Sequence, residues 1–395
     1  MVRENQLAAV AGMLLLSAGA ATAQTETAAP NAGATIFGAA NLQLERVQTT
    51  GSTNPAEDKL ARQRVSNVSS ELGIRRTFDF GDGLSATVQY ITAISLDNAN
   101  GNANGGLWAN AKDSFAALSK NGIGTLKVGR ITGAARWNSG TADFSPAGAG
   151  PQDNQGPQSE ISGLTGAAPL FNVRLDNAVG FESASFGGFS VRGYYSANEN
   201  RSNATPASGD SLSDDSFSLG AEYVTGPFTL RLSAEQRNDK GTLNNTNNRK
   251  TQDTDYKIGI KYAIQPNLIM GFGWDTMSFT DNSATGTQLT NLSRDGWILS
   301  LRYETGKHVI YGGYGQAANA RGQLANGASF DGSSTGASQF TIAYNYKVSK
   351  ELLWEVFASQ VQNQSRAKYD FDSGGLSAGA GSTVSAIGAG FRLTF

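Results

Sequence analysis

Segment after segment of this chain alternates with a period of two. Large apolar side chains fall on one face and small, polar or charged ones on the other, which is the pattern of β-strands. In residues 71–80, Leu72, Ile74, Phe78 and Phe80 oppose Glu71, Gly73, Arg75, Thr77 and Asp79. In 228–235, Phe228, Leu230, Leu232 and Ala234 oppose Thr229, Arg231, Ser233 and Glu235. Tyr256, Ile258, Ile260 and Tyr262 stand against Lys257, Gly259 and Lys261. The last run sets Ile387, Ala389, Phe391, Leu393 and Phe395 against Gly388, Gly390, Arg392 and Thr394. Counted along the chain, the pattern predicts about sixteen strands, and almost no helix competes with them.

A soluble sandwich would alternate in the same way, with its apolar faces packed together. Three features point to the inverse arrangement. Aromatic residues gather at strand ends (Phe78, Phe80, Tyr223, Tyr262, Tyr303, Tyr346, Phe395), where a membrane–water interface would place them. Tight turns such as Gly81-Asp82-Gly83, Gly187-Gly188, Gly226-Pro227 and Thr305-Gly306 alternate with long Gly-, Asn- and Ser-rich connections. The polar faces also carry full charges in many strands. The expected fold is all-β, a closed antiparallel transmembrane β-barrel. Closure follows because hydrocarbon offers an open strand edge no hydrogen-bond partner. A barrel of about sixteen strands is too wide for side chains to fill, so water occupies its bore.

Composition narrows the function. Among 395 residues there are no cysteines and one histidine, which excludes thiolate metal sites and His-rich metal centres. Lys+Arg number 31 against 33 Asp+Glu, a net charge of -2, so the basic footprint of a nucleic-acid binder is missing. No motif for a cofactor, metal or nucleotide is found. Residues 7–20 form a short apolar stretch followed by Ala21-Thr22-Ala23, the pattern of a secretory signal peptide. The expected organisation is a leader at 1–23 and one barrel domain at 24–395. An exported barrel of this kind belongs in a bacterial outer membrane.

The longest connection, 131–170, is rich in Gly, Pro and Ala and follows the fifth strand. A loop of that length is commonly functional. Folded into the bore it would form a constriction loop, with Asp143, Asp153 and Glu160 as acidic lining. Arg75, Lys127, Arg174, Arg192 and Arg231, on the polar phases of neighbouring strands, would face them. Opposed charges across a narrow wet gap orient polar solutes and set ion preference.

These segments resemble the trimeric general diffusion porins of Gram-negative outer membranes. Arg64-Val65-Ser66 with Ser69 to Ile74 resembles that family's second strand, and Gly81-Asp82-Gly83-Leu84 its first short turn. Gly124 to Arg130 resembles the strand entering the constriction loop. Arg174 to Asn177 and Ser185 to Ser190 resemble the strand and hairpin leaving it. The resemblance implies a homotrimer whose contacts come mainly from the first strands. Its implied partners are outer-membrane lipid, lipopolysaccharide and the barrel-insertion machinery, the last reading Phe395 as an assembly signal. The implied cargo is ions and small hydrophilic solutes. It also places Arg130 on the basic wall, whereas strict alternation from Leu126 and Val128 places it outside. With the strand ending or twisting at Gly129, the expected place of Arg130 is the wall, as part of the pore lining. Glu71 departs from the family, which commonly has arginine there, and so weakens the cluster. Arg76, on the apolar phase, fits a subunit contact.

Two other functions compete. A substrate-specific channel for a sugar or small organic acid would add a continuous aromatic track, and only scattered lumen-phase aromatics such as Tyr194 are present. An outer-membrane barrel enzyme would need His308 beside a serine or aspartate, yet His308 adjoins a short turn. The acidic residues Asp210, Asp214, Asp215, Asp253 and Asp255 offer a calcium site or an ordinary solvated loop.

Overall fold

A computed structural model describes residues 33–97, 111–159, 161, 164, 171–197, 214–240, 243–244, 251–372 and 374–395. The leader 1–23, Glu160 and Asp210 therefore lie outside the described residues. Six strands come first: β1 (Thr35–Thr50), β2 (Arg62–Asn67), β3 (Glu71–Gly81), β4 (Leu84–Ala93), β5 (Ser114–Lys120) and β6 (Gly124–Thr132). Two helices follow, α1 (Ala134–Ala142) and α2 (Gln155–Ser159). Next are β7 (Arg174–Ser183), β8 (Phe189–Ser196), β9 (Ser216–Thr225), β10 (Phe228–Asn238), β11 (Thr251–Gln265) and β12 (Leu268–Asp281). The chain closes with β13 (Leu289–Thr305), β14 (His308–Ala317), β15 (Arg321–Leu324), β16 (Ala337–Lys347), β17 (Leu352–Asn363) and β18 (Thr383–Thr394).

The eighteen segments form sixteen barrel strands. β2 and β3 both pair with β1, at Val47 to Leu42 and at Ala39 to Thr35, so they are one strand interrupted at Val68 to Ser70. Ser69, with φ 62°, makes that break. β14 and β15 likewise share β13. Every ladder is antiparallel, and β18 returns to β1 from Ala39↔Thr394 to Thr50↔Thr383. Backbone hydrogen bonds in both directions between Gly38 and Phe395 fasten the seam at its lower end. Among the described residues every barrel strand is paired on both sides, as hydrocarbon requires.

One rim carries tight turns. The Gly81-Asp82-Gly83 turn has φ of 84°, 50° and 72°, a run for which glycine suits two of the three positions. The opposite rim carries the long loops. Among the described residues no helix is long and apolar enough to cross a membrane, which says nothing about strands.

Burial is inverted relative to a water-soluble protein. Leu299, Leu301 and Tyr303 on β13 are exposed, while Ser300 between them is 0 % exposed. On β11, Tyr256, Ile258 and Tyr262 face out, and Asp253, Asp255, Lys257 and Lys261 face in. The apolar exterior suits lipid, and the charged interior suits a bore that water can reach.

Candidate constriction zone

The chain turns inward at the end of β6. The β6–β7 register shifts between Gly129, at φ 141°, and Ile131: Arg130 alone stands against Asp176 and Asn177, so a bulge with its extra residue on β7 lies beside the end of β6. The extra residue bends β7 where the chain leaves the loop, and β6 keeps its alternation through Ile131. Ile131 then packs inside the wall with Leu175, Ala178 and Tyr194. α1 starts immediately afterwards. Its Ala134 N–H donates to Ser218 Oγ on β9 (2.7 Å), satisfying a helix-end donor for which Gly133 has no side chain.

From there the loop lies against the inner faces of β9 to β14, where glycines interrupt the wall's side chains at the points of closest approach. A methyl group on Gly259 would collide with Asn138, and one on Gly271 would collide with Phe144. These bare positions let the loop backbone approach closely. Polar side chains then fix the loop in place. Asn138 Nδ2 donates to Ser233 Oγ (3.1 Å) and to the Lys257 carbonyl (2.9 Å), while Lys257 Nζ donates to Ser139 Oγ (2.8 Å). Gln339 Nε2 donates to the Asp153 carbonyl (2.8 Å). Gln152 Nε2 reaches Glu355 Oε2 (3.0 Å), whose other oxygen accepts from Gln43 (2.7 Å).

The loop carboxylates were expected to line the bore, and the structure corrects this for two of them. Asp143 is 4 % exposed and accepts from Tyr311 Oη (2.6 Å) and the Asn154 N–H (2.7 Å). Asp153 is 8 % exposed and accepts from the Gln155 N–H (2.9 Å). Both hold the loop to itself and to the wall. Burial pushes the Asp153 carboxyl well above its ordinary value, and the nearby Asp372 and Asp143 add to the rise. Asp372, in the connection between β17 and β18, is raised for the same first reason, partly offset by Arg136. Burial lowers the Arg136 guanidinium, with Arg174 adding repulsion. That Asp372 meets this zone was not foreseen. Its connection folds inward, with Tyr369 and Phe371 buried and Asn172 Nδ2 3.4 Å from Asp372 Oδ1.

The expected cations occupy the wall with partners of their own. Lys127 pairs with Glu182 (2.8 Å), which Arg192 also approaches (4.0 Å). Arg174 pairs with Asp113 (2.8 Å), and Arg231 with Glu222 (2.6 Å). Arg192 and Arg231 both stack on the Trp137 ring of α1, at 3.6 and 4.1 Å from its centroid. The Trp137 carbonyl also accepts from Arg231 (2.9 Å). Arg75 lies over the Phe37 ring (5.2 Å). Glu71 pairs with Lys112 (2.8 Å), whose ammonium is lowered by burial and raised in opposition by Glu71.

Arg130 is also corrected. Across β5 it sits opposite Ser114, on the face shared by Ala116 and exposed Val128, and it forms an ion pair with Asp176. Alternation therefore prevails over the family motif, and Arg130 belongs to the outer phase. Tyr311 and Trp137, which organise the zone, carried only one signal in the sequence: an aromatic on a polar phase and another in a glycine-rich loop. Of the acidic group near the long-loop rim, Asp214 pairs with Lys240 (2.5 Å) and Asp215 accepts from Asn238 (2.7 Å). Among the described residues no group of three or more His, Cys, Asp or Glu is arranged to hold a metal. His308 Nδ1 lies 2.7 Å from Tyr344 Oη.

A family model described as Gram-negative porin matches residues 7–366. An outer membrane porin protein of Bordetella pertussis is 30% identical over 205 residues, 50% of this chain and 49% of the relative. The match thus spans about half of that relative's length. Among solved structures, an anion-selective porin from Comamonas acidovorans aligns with TM-score 0.72 at 20% identity, covering 92% of this chain and 99% of that one. An in-vitro folded outer membrane protein of Vibrio cholerae in its trimer form aligns at 0.62 and 14% identity, covering 92% and 99%. At these identities the structural likeness speaks to the fold.

Proposed function

The chain belongs to the Gram-negative porin family, and from that premise we propose that it is a passive water-filled channel in the outer membrane for ions and small hydrophilic solutes. One observation carries the reading. The inner face of the closed barrel is polar and charged, while a loop fastened to one side of the wall narrows the bore. Solutes cross by diffusion, without nucleotide, cofactor or covalent chemistry. Lys127, Arg174, Arg192 and Arg231 form the wetted basic wall. Asp143 and Asp153 act through the loop they hold in place.

The assembly we propose is a homotrimer. Arg76 lies on the outward phase of β3, 4.6 Å from the Phe78 ring centroid. A cation facing lipid near mid-bilayer costs about 2–4 kcal/mol, and a subunit contact removes that cost. Phe395 serves as the assembly signal, and lipid and lipopolysaccharide surround the trimer. Planar-bilayer recording of the purified protein tests the channel. Stepwise conductance, in threes for a trimer, is expected; an electrically silent protein that hydrolyses lipid or peptide would favour the enzyme reading.

A further inference from the structure

Inward positions within the last five residues of the strands at the tight-turn rim form a charged girdle that the loop does not use up. Glu222 and Arg231 face each other across β9 and β10. On β11 the next inward side chain at this height is Lys261, which is directly opposite Thr229 on one side and bare Gly271 on the other. Arg302 follows on β13 and Lys347 on β16. Among the described residues, four cations here (Arg231, Lys261, Arg302, Lys347) share two carboxylates, since Glu222 takes Arg231 while Glu304 takes both Arg302 and Lys347. Lys261 makes no ion pair or hydrogen bond with any of them, although it is only 6 % exposed. Arg302 Nε is likewise buried without a hydrogen-bond partner among the described residues. An ammonium so enclosed, beside partly used guanidinium groups, is an arrangement that an external anion would complete.

We propose that this girdle binds a dissolved multivalent oxyanion of the phosphate type, with Lys261 as its central ammonium and Arg231 and Arg302 as flanking donors. Guanidinium forks match tetrahedral oxyanions, and a flexible ammonium adds a point charge. The site adjoins the loop, whose Trp137 carbonyl accepts from Arg231 and whose Phe144 sits against Gly271 beside Lys261, and a solute would meet it between the constriction and the tight-turn mouth. The inference rests on the channel reading given above.

The test uses the full protein in planar bilayers, with inorganic pyrophosphate added at fixed ionic strength and chloride. Pyrophosphate is expected to interrupt the chloride current, and Lys261→Gln to raise the half-blocking concentration about tenfold, the scale of one charge-assisted hydrogen bond. Arg302→Gln shifts it in the same direction. Lys350→Gln, in an exposed turn, leaves it unchanged. Block that is absent in the wild type, or equally strong in the Lys261 and Arg302 variants, overturns the proposal while the channel stands. Loss of all conductance in the wild type overturns the channel reading itself.

Discussion

Two tiers of the inner wall use charge in opposite ways. Around the loop, Asp143 and Asp153 are almost wholly buried and spend their oxygens on Tyr311, Asn154 and Gln155. Below it, Arg192, Lys127 and Arg231 keep 14 to 20% of their side chains exposed while holding carboxylate partners. The upper tier is cement and the lower tier is a wet surface. The difference teaches that sign and position on the inward phase do not by themselves assign a charge to conduction. What decides is whether lumen water still reaches it.

Trp137→Ala attacks the junction of the tiers and should have the largest effect. It removes the ring on which Arg192 and Arg231 stack, leaving two cations without their shared support. Because Trp137 is only partly buried, a loss of about 2–4 kcal/mol is expected, seen as a lower temperature for loss of the folded band on gels, together with noisier single-channel current. Tyr311→Phe takes one hydrogen bond from buried Asp143 and should cost about 1–3 kcal/mol, with the loop loosened. Intact thermal stability in that variant would move Asp143 out of the fastening tier.

Smaller effects separate the tiers more finely. Asp153 is held protonated to higher pH than a free carboxyl. The protein should therefore lose stability as pH rises from the ordinary carboxyl range through the raised value, and level off above it. Asp153→Asn should flatten that dependence and gain about 1 kcal/mol at neutral pH. An unchanged pH profile would contradict the burial assigned to it. Lys127→Gln, in the wet tier, should change stability least, by about 0–1 kcal/mol, while shifting the reversal potential in a salt gradient.

The sixteen strands were legible because a barrel wall forces strict alternation: every second residue of β11 or β13 meets lipid. Interruptions of that period were not. The bulge opposite Arg130 adds one residue to β7 and leaves the alternation of β6 intact, so Arg130 stays on the outer phase and the family motif pointed it to the wrong face. Ser69 at φ 62° divides one strand in two, a backbone event that leaves little trace in side-chain pattern. The loop was legible only by its length and composition. Which of its carboxylates would be wetted depends on long-range partners such as Tyr311, 168 residues away from Asp143. The inward fold of the β17–β18 connection and the place of Asp372 depend likewise on contacts across the barrel.

The most direct measurement exploits the absence of cysteine. Single cysteines at Thr125, Leu126, Lys127 and Val128 of β6, in protein reconstituted into lipid, are treated with a charged thiol reagent while current is recorded. Modification at 125 and 127 that alters conductance, with 126 and 128 protected by lipid, is the predicted result. The reverse alternation, or equal reactivity at all four, would contradict a wall that turns its charges toward water and its apolar side chains toward hydrocarbon.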